Sequence, residues 1–171
     1  SGSHLVRPTF SVNLSGQSLG DETFLEHVLA ELDGSGIDPR RLCFEITETA
    51  AIANLASALR FISSLRALGC RFVLDDFGSG FSSFSYLKNL PVDFLKIDAS
   101  FAHQLAADPI QRALAEASQQ TGRGLGMKTI AEGIEDEDTL EVVLGLGIDY
   151  GQGFALHRPA QFGQAALHAG E

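Results

Sequence analysis

The sequence predicts an α/β protein built on a parallel sheet, and three observations carry this prediction. Short apolar runs alternate with longer segments of helical period along the whole chain, as expected for parallel strands joined by covering helices. The length of 171 residues suits one domain and is too short for two. Polar residues recur at the carboxyl-terminal ends of the strands, which is where parallel α/β proteins build their sites.

The first part of the chain contains two predicted strands and one helix. The run Phe10–Leu14 predicts a strand, and Leu42–Ile46 predicts the next one. Between them, apolar residues at helical spacing from Phe24 to Leu32 predict a helix that ends near Gly34 and Gly36.

The middle of the chain repeats the alternation of helix and strand. A helix is predicted from about Ala51 to Leu68, closed by Gly69, because a glycine in the left-handed conformation commonly ends a helix. A third strand is predicted over Arg71–Asp75 and a short helical piece over Phe84–Leu87. The fourth strand, Asp93–Ile97, follows a proline.

The last part of the chain adds two helices and two strands. The helices are predicted over about Pro109–Thr121 and Thr139–Leu146, with the acidic run 135–138 as the solvated start of the second helix. The strands are predicted over Gly126–Ala131 and in the region Ile148–Ala155.

An open doubly wound sheet and a closed barrel both satisfy this alternation, and the positions of the polar residues favour the barrel. Six strands each carry such a residue at the carboxyl-terminal end: Asn13, Glu45, Asp75, Lys96, Glu132 and Gln152. In a closed parallel barrel these ends converge on one face, which is where active sites lie. A barrel would therefore gather all six side chains into one site.

Composition and charge narrow the classes of function. Apolar residues make up 44% of the chain, and no stretch approaches the roughly 18 apolar residues that a membrane span requires. A net charge of −10 disfavours direct binding to nucleic acid or anionic lipid, so a phosphate ligand would need metal ions or individual cationic side chains. The apolar surroundings of Cys43 and Cys70 predict buried thiols in a reducing compartment, and hence a cytoplasmic location.

Asp75 and Asp76 form the most informative pair, because two adjacent carboxylates follow the apolar run 72–74 directly. They repel one another unless a cation compensates them. With Asn13 and Glu45 they offer only oxygen donors, which suit Mg²⁺ or Mn²⁺. Asp75 could bridge two ions roughly 3.5 to 4 Å apart, a spacing that serves phosphodiester hydrolysis.

Lys96 and Glu132 are the candidate catalytic residues. An ammonium inside an apolar strand predicts a buried carboxylate partner, and in a phosphoester site it could stabilise developing charge or orient the attacking water. Glu132 could act as general base or as a further metal ligand. Taken singly, each of these residues also has an ordinary explanation as a cap, a turn residue or a salt-bridge partner.

The residues resemble the EAL-domain family of bacterial cyclic di-GMP phosphodiesterases. The matching motifs occur in order: Val12-Asn13-Leu14-Ser15, Phe44-Glu45-Ile46-Thr47-Glu48, Asp75 to Gly80 with Phe81-Ser82-Ser83, Lys96-Ile97-Asp98, Ala131 to Glu135, and Gly151-Gln152-Gly153-Phe154. The resemblance implies a modified TIM barrel that opens cyclic di-GMP to linear pGpG with Mg²⁺ or Mn²⁺, two ions being expected. It also implies a homodimer, with sensor or GGDEF domains in the parent protein.

The resemblance also implies a role for each matched residue. The metal ligands would be Asn13, Glu45, Asp75 and Asp76, while Lys96 and Glu132 would serve the catalytic water. Gln152 would complete the site. Glu48 would anchor the loop from Asp76 to Ser83, a loop that contains Gly78, Ser79 and Gly80 and couples dimerisation to metal binding in the family.

One family motif has no counterpart in this chain. The Glu-Ala-Leu motif lies upstream of Val12-Asn13-Leu14-Ser15 in the family, so we expect a barrel that lacks its first strands and helix. We expect residues 1–8 to be a tag remnant or leader, 9–162 the partial barrel domain and 163–171 a tail. Activity is expected of the intact parent protein, and the alternative is a catalytically silent module for cyclic di-GMP or protein binding.

Overall fold

A computed structural model describes residues 9–78, 84–97, 108–153 and 156 of the chain. Within these residues the strands form one parallel sheet in the order β1 to β6. Their bounds are Phe10–Leu14 (β1), Leu42–Thr47 (β2), Arg71–Phe77 (β3), Phe94–Ile97 (β4), Lys128–Ala131 (β5) and Tyr150–Gly151 (β6).

Helices occupy most of the connections between the strands. Their bounds are Gly16–Gly20 (α1), Glu22–Ser35 (α2), Glu48–Ala53 (α3), Leu55–Ala67 (α4), Pro109–Gly124 (α5) and Glu137–Gly145 (α6). Short 3₁₀ helices span Pro39–Arg41 and Phe84–Lys88. None of the helices in the described part of the chain is both long enough and apolar enough to span a membrane.

The sequential strand order decides between the two architectures that the sequence left open. A doubly wound sheet reverses its strand order at a switch point, whereas here each strand pairs with the next one along the chain. Sequential parallel pairing is the arrangement of a barrel wall. Within the described residues β1 and β6 do not pair with each other, so the wall is open between them.

The two faces of the sheet differ in chemistry because side chains alternate along each strand. The helix-covered face is apolar: the rings of Phe44 and Phe72 lie 5.4 Å apart and pack against Phe61 of α4 at centroid distances of 6.1 and 6.3 Å. The opposite face carries Glu45 and Lys96 and borders a cavity of about 360 Å³. The sheet therefore buries its core on the helix side and places Glu45 and Lys96 on the other side.

The predicted helix from Ala51 to Leu68 is in fact two helices, and a further short helix was not predicted. Thr47 caps α3 by accepting a hydrogen bond from the backbone N–H of Ala50, so this helix begins earlier than expected. The non-helical backbone at Asn54 (φ −133°, ψ 47°) then separates α3 from α4. The unpredicted helix is α1, a five-residue helix capped by the side chain of Ser15.

Other local predictions are confirmed. Gly69 has a positive φ of 105° directly after the helix that it was expected to close. The acidic run forms the start of α6: Asp136 caps the helix, and Glu137 and Asp138 lie in its first turn. Cys43 and Cys70 are free and buried, as their apolar surroundings predicted. The final strand is short within the described residues, which exclude 154 and 155.

Candidate active site

Lys96 lies at the centre of the charged face of the sheet. Its ammonium Nζ is 2.6 Å from Oε2 of Glu45, 2.9 Å from Oε1 of Glu132 and 3.6 Å from Oδ2 of Asp75. Only 7% of its side chain is exposed. The sequence predicted one buried carboxylate partner for this lysine, and the structure shows three. We call Lys96, Glu45, Asp75 and Glu132 the Lys96 cluster.

Strand periodicity explains why these four side chains meet. Leu95 and Ile97 are buried and lie on either side of Lys96 in β4, so alternation turns Lys96 to the other face. Glu45 occupies the same face of β2, two strands away. Glu132 directly follows β5, the neighbour of β4. The four residues of the cluster therefore come from the carboxyl-terminal parts of four consecutive strands, β2 to β5.

The ion pairs in the cluster set the protonation states of Glu45 and Lys96. Burial raises the pKa of the Glu45 carboxyl, but hydrogen bonds donated by Lys96 and Ser11 outweigh burial and leave this pKa below its ordinary value. Burial lowers the pKa of the Lys96 ammonium, but hydrogen bonds to Glu45 and Glu132 outweigh burial and raise it. Lys96 therefore remains a cation at neutral pH and cannot serve as a base.

Asp75 and Asp76 occupy different environments although they are adjacent. The Asp75 side chain is 18% exposed and belongs to the Lys96 cluster, whereas Asp76 is exposed. The register of β3 on β4 shifts between Leu74 and Phe77, and Asp76 adopts a φ of +55° there. Because β3 continues to Phe77, both carboxylates lie inside the strand: Asp75 is two residues and Asp76 one residue before its last residue.

Asn13 and Gln152 lie at the margin of the cluster. Asn13 is exposed on β1 and pairs in register with Glu45. Gln152 directly follows β6 and borders the same cavity as Glu45 and Lys96. Both residues therefore share the predicted end of the sheet with the cluster.

Glu48 contacts the first residue after β3, in the loop that the family resemblance expects it to anchor. Its buried carboxylate accepts hydrogen bonds from the backbone N–H of Gly78 at 3.1 Å and from the hydroxyl of Tyr86 at 2.6 Å. Burial and the bond to Glu48 raise the pKa of the Tyr86 hydroxyl, which therefore stays protonated as a donor. The other predicted loop residues, Ser79 and Gly80, lie outside the described residues.

Sequence reasoning missed two residues that support the site. Ser11 donates a hydrogen bond to Oε1 of Glu45, the oxygen that does not bind Lys96. Its position two residues before Asn13, on the same face of β1, was the available signal. Tyr86 gave no such signal, because its bond to Glu48 joins residues 38 apart in the chain.

The cluster carries surplus negative charge that fits a divalent cation. Three carboxylates against one ammonium leave a net charge of −2 on partly buried groups. Oxygen donors of this type are the ligands of Mg²⁺ and Mn²⁺. Within the residues that the structure describes, no three His, Cys, Asp or Glu side chains already enclose a possible metal position. The carboxylate oxygens of the cluster are therefore suitable ligands for a divalent ion. In this structure they surround the ammonium of Lys96.

A family model and curated relatives match most of this chain. The EAL domain model matches residues 3–159. The cyclic di-GMP phosphodiesterase PdeB of Shewanella oneidensis is 42% identical over 149 residues, which cover 87% of this chain and 17% of that protein. The cyclic di-GMP phosphodiesterase PdeA of Borreliella burgdorferi is 37% identical over 88% of this chain and 22% of that protein. The chain thus spans about a fifth of the length of these relatives.

Solved structures share the fold. The PaMucR phosphodiesterase in complex with c-di-GMP superposes with a TM-score of 0.82 at 37% identity, over 88% of this chain and 61% of that one. The EAL domain of FimX from Pseudomonas aeruginosa, bound to c-di-GMP, gives a TM-score of 0.83 at 28% identity, over 90% of this chain and 63% of that one. The parallel sheet with covering helices is therefore the fold of known EAL domains.

Proposed function

The chain belongs to the EAL domain family, and we propose that the protein containing it hydrolyses cyclic di-GMP to linear pGpG in a metal-dependent reaction. The Lys96 cluster is the observation that carries this proposal, because it joins three carboxylates and a fixed ammonium at the carboxyl ends of four parallel strands. Relatives named as cyclic di-GMP phosphodiesterases and a phosphodiesterase solved with c-di-GMP support the choice of substrate.

The proposed metal ligands are Asn13, Glu45, Asp75 and Asp76, and the ions are Mg²⁺ or Mn²⁺, two being expected. When bound, such ions would polarise the phosphodiester and lower the pKa of water. Glu45 is held for this role from both sides, by Lys96 and by Ser11. Because its pKa is lowered, it is an ionised oxygen donor at neutral pH.

Lys96 and Glu132 are proposed to act on the attacking water. The water oxygen would bond to phosphorus as the bond from phosphorus to the 3′ oxygen breaks, which yields the 5′-phosphate of pGpG. Glu132 would accept the proton of the water, since Lys96 is already protonated. Lys96 would hold the water and stabilise the charge that develops on the phosphoryl oxygens. Its three carboxylate contacts fix it in place before substrate arrives.

Glu48 and Gln152 are proposed to support the site without taking part in proton transfer. Glu48 would hold the segment that begins at Gly78 and includes Ser79 and Gly80, because it binds the Gly78 backbone directly. Gln152 borders the cavity beside the cluster and could contact the substrate there. We also propose a homodimer, attached sensor or GGDEF domains and a cytoplasmic location for the whole protein; the two free buried thiols support the last of these.

A binding module without turnover is the second candidate function. It is favoured by the position of the Lys96 ammonium, which binds the oxygens of Glu45 and Glu132 that would otherwise be offered to a metal ion. Such a module would bind cyclic di-GMP and leave it intact.

The test measures binding and turnover on the same samples. The chain, and a longer protein that contains it, are incubated with cyclic di-GMP and either Mn²⁺ or Mg²⁺, and pGpG is separated by chromatography. We expect metal-dependent pGpG from the longer protein, lost in Asp75→Asn because the proposed bridging carboxylate becomes a neutral amide.

Asp33→Asn is the matched control, because it makes the same chemical change at an exposed position of α2 and should leave turnover unchanged. Full activity of Asp75→Asn would contradict the two-metal assignment. Binding without any pGpG in the longer protein would favour the module over the enzyme.

A further inference from the structure

A second cavity lies at the opposite end of the strands from the Lys96 cluster. It has a volume of about 490 Å³ and is bordered by the first residues of β3, β4 and β5, which are Arg71, Phe94 and Lys128. Arg66 and Lys88 complete its cationic lining. We call this space the basic cavity. Arg71 and Phe94 also border the 360 Å³ cavity beside the Lys96 cluster, whereas none of the residues proposed for the active site borders the basic cavity.

The charge of the basic cavity is opposite to that of the chain. Four of the 12 lysines and arginines border it, together with one of the 22 acidic residues, Asp93. In a chain with a net charge of −10, a random surface would carry about two acids for each base. Cations around one cavity repel each other unless carboxylates or a bound anion compensate them. The reversal therefore indicates an anion site.

Two of these cations form ion pairs with carboxylates that also accept hydrogen bonds from the backbone of the sheet. Arg66 lies 2.9 Å from Oδ1 of Asp93, whose Oδ2 accepts the backbone N–H of Phe72. Lys128 lies 2.8 Å from Oδ1 of Asp149, whose Oδ2 accepts the backbone N–H of Thr129. These two carboxylates are thus held by backbone bonds, and each compensates one cation.

The other two cations are available to a ligand. Lys88 is exposed and makes no ion pair within the described part of the chain. The guanidinium of Arg71 donates to the neutral hydroxyl of Thr9 at 3.1 Å and lies 6.0 Å from the ring centroid of Phe94. Four cations and two carboxylates leave a local charge of +2. Arg71 makes no ion pair within the described residues, and a guanidinium can bind a phosphate through two parallel hydrogen bonds.

We propose that the basic cavity binds a phosphorylated small molecule, with the phosphate held by Arg71 and Lys88. The volume lies in the range of small-molecule sites. Leu90, Met127 and Phe94 also border the cavity and offer apolar contacts to the rest of the ligand. A lipid surface is disfavoured by the net charge of −10, so the phosphate belongs to a small molecule. The two cavities share Arg71 and Phe94, but the proposal uses no residue of the Lys96 cluster and does not rest on the proposed phosphodiesterase activity.

The test uses inorganic pyrophosphate as the probe and the whole chain as the receptor. ¹⁵N-labelled protein is titrated in EDTA at fixed ionic strength and followed by NMR. We expect saturable shifts at the backbone amides of Lys88, Phe94 and Lys128. Lys88→Gln should weaken the apparent affinity about tenfold, since a charged hydrogen bond to the phosphate is lost.

Arg112→Gln is the matched control, because it removes one cation from the exposed start of α5, roughly 20 Å along the helix from the basic cavity. Its affinity for pyrophosphate should equal that of the unchanged chain. Shifts that do not saturate, or an equal loss in both variants, would mean general attraction of anions and would overturn the proposal. Shifts confined to Glu45, Lys96 and Glu132 would place the anion in the candidate active site and would overturn it as well.

Discussion

At the scale of single residues, Lys96 shows how burial and charge together decide a role. A buried lysine without partners loses its proton, but three carboxylates reverse this tendency and raise its pKa. The same contacts hold Glu45 ionised. The residue that sequence alone offered for either charge stabilisation or water orientation is therefore a cation at neutral pH, which supports the proposal that Glu132 accepts the proton of the water.

Tyr86 is a second residue whose role depends on one hydrogen bond. Its hydroxyl donates to Oε1 of Glu48, while the backbone N–H of Gly78 donates to Oε2. A buried carboxylate that loses a donor keeps its charge without compensation. Tyr86 thus stabilises the residue that holds the chain after β3.

We expect Tyr86→Phe to lower the free energy of unfolding by about 1–2 kcal/mol, because the Glu48 carboxylate loses a donor that water cannot readily replace. Urea unfolding followed by circular dichroism measures this change. Tyr150→Phe is the control, because Tyr150 is exposed and its hydroxyl makes no hydrogen bond to the residues that the structure describes. Equal stability of the two variants would contradict the role of Tyr86.

At the scale of elements, helix α5 packs unusually close to the sheet at one glycine. A Cβ atom at Gly122 would lie 3.0 Å from Cγ2 of Thr129 and 3.2 Å from Cδ1 of Leu95. Both neighbours are buried in the sheet and have little room to move. Gly122 therefore sets the distance between α5 and strands β4 and β5, the strands that carry Lys96 and Glu132 to the site.

Replacing Gly122 by alanine should destabilise the protein, whereas Gly124→Ala should not. Both changes favour the helix by up to about 1 kcal/mol, but only the first introduces a contact that overpacks the interface, at a cost of about 1–3 kcal/mol. A Cβ at Gly124 meets no described atom within 4 Å. Thermal unfolding of the two variants measures the difference. A Gly122→Ala variant as stable as Gly124→Ala would show that the interface relaxes easily.

At the scale of the whole molecule, stability is expected to fall from the centre of the sheet to its margins. β3 and β4 pair on both sides, whereas β1 pairs only with β2 and β6 only with β5 among the described residues. Most of β1 is exposed, including Phe10 and Val12, and β6 is exposed as well. An edge strand that pairs on one side opens at lower free energy than a central strand.

Native-state hydrogen exchange should reproduce this gradient. We expect the amides of β3 and β4 to exchange slowest and those of β1 and β6 fastest, because central amides require larger openings of the sheet. Exchange followed by NMR on the whole chain gives the order. If β1 exchanged as slowly as β3, then a further partner would cover that edge in solution.

Much of the fold and part of the site could be predicted from the sequence. The period of apolar residues predicted all six strands. Of the six polar residues expected to meet at their ends, four contact one another in the Lys96 cluster, while Asn13 and Gln152 lie at its margin. The division of one predicted helix at Asn54 could not be predicted from the period of its apolar residues. A threonine cap at Thr47 and one residue with non-helical backbone set the bounds of α3, and neither changes that period. Contacts such as Tyr86 with Glu48 join distant residues and leave no local pattern.

The sequence by itself determined which residue types lie at the carboxyl ends of the strands. These residues identified the EAL family and predicted an oxygen-rich site. Only the tertiary structure decided that Lys96 is a buried cation and that Asp75 and Asp76 differ in environment. It also decided that cations gather at the opposite end of the sheet. The physical reason is that protonation and charge compensation depend on distances between residues far apart in the chain, and folding alone sets those distances.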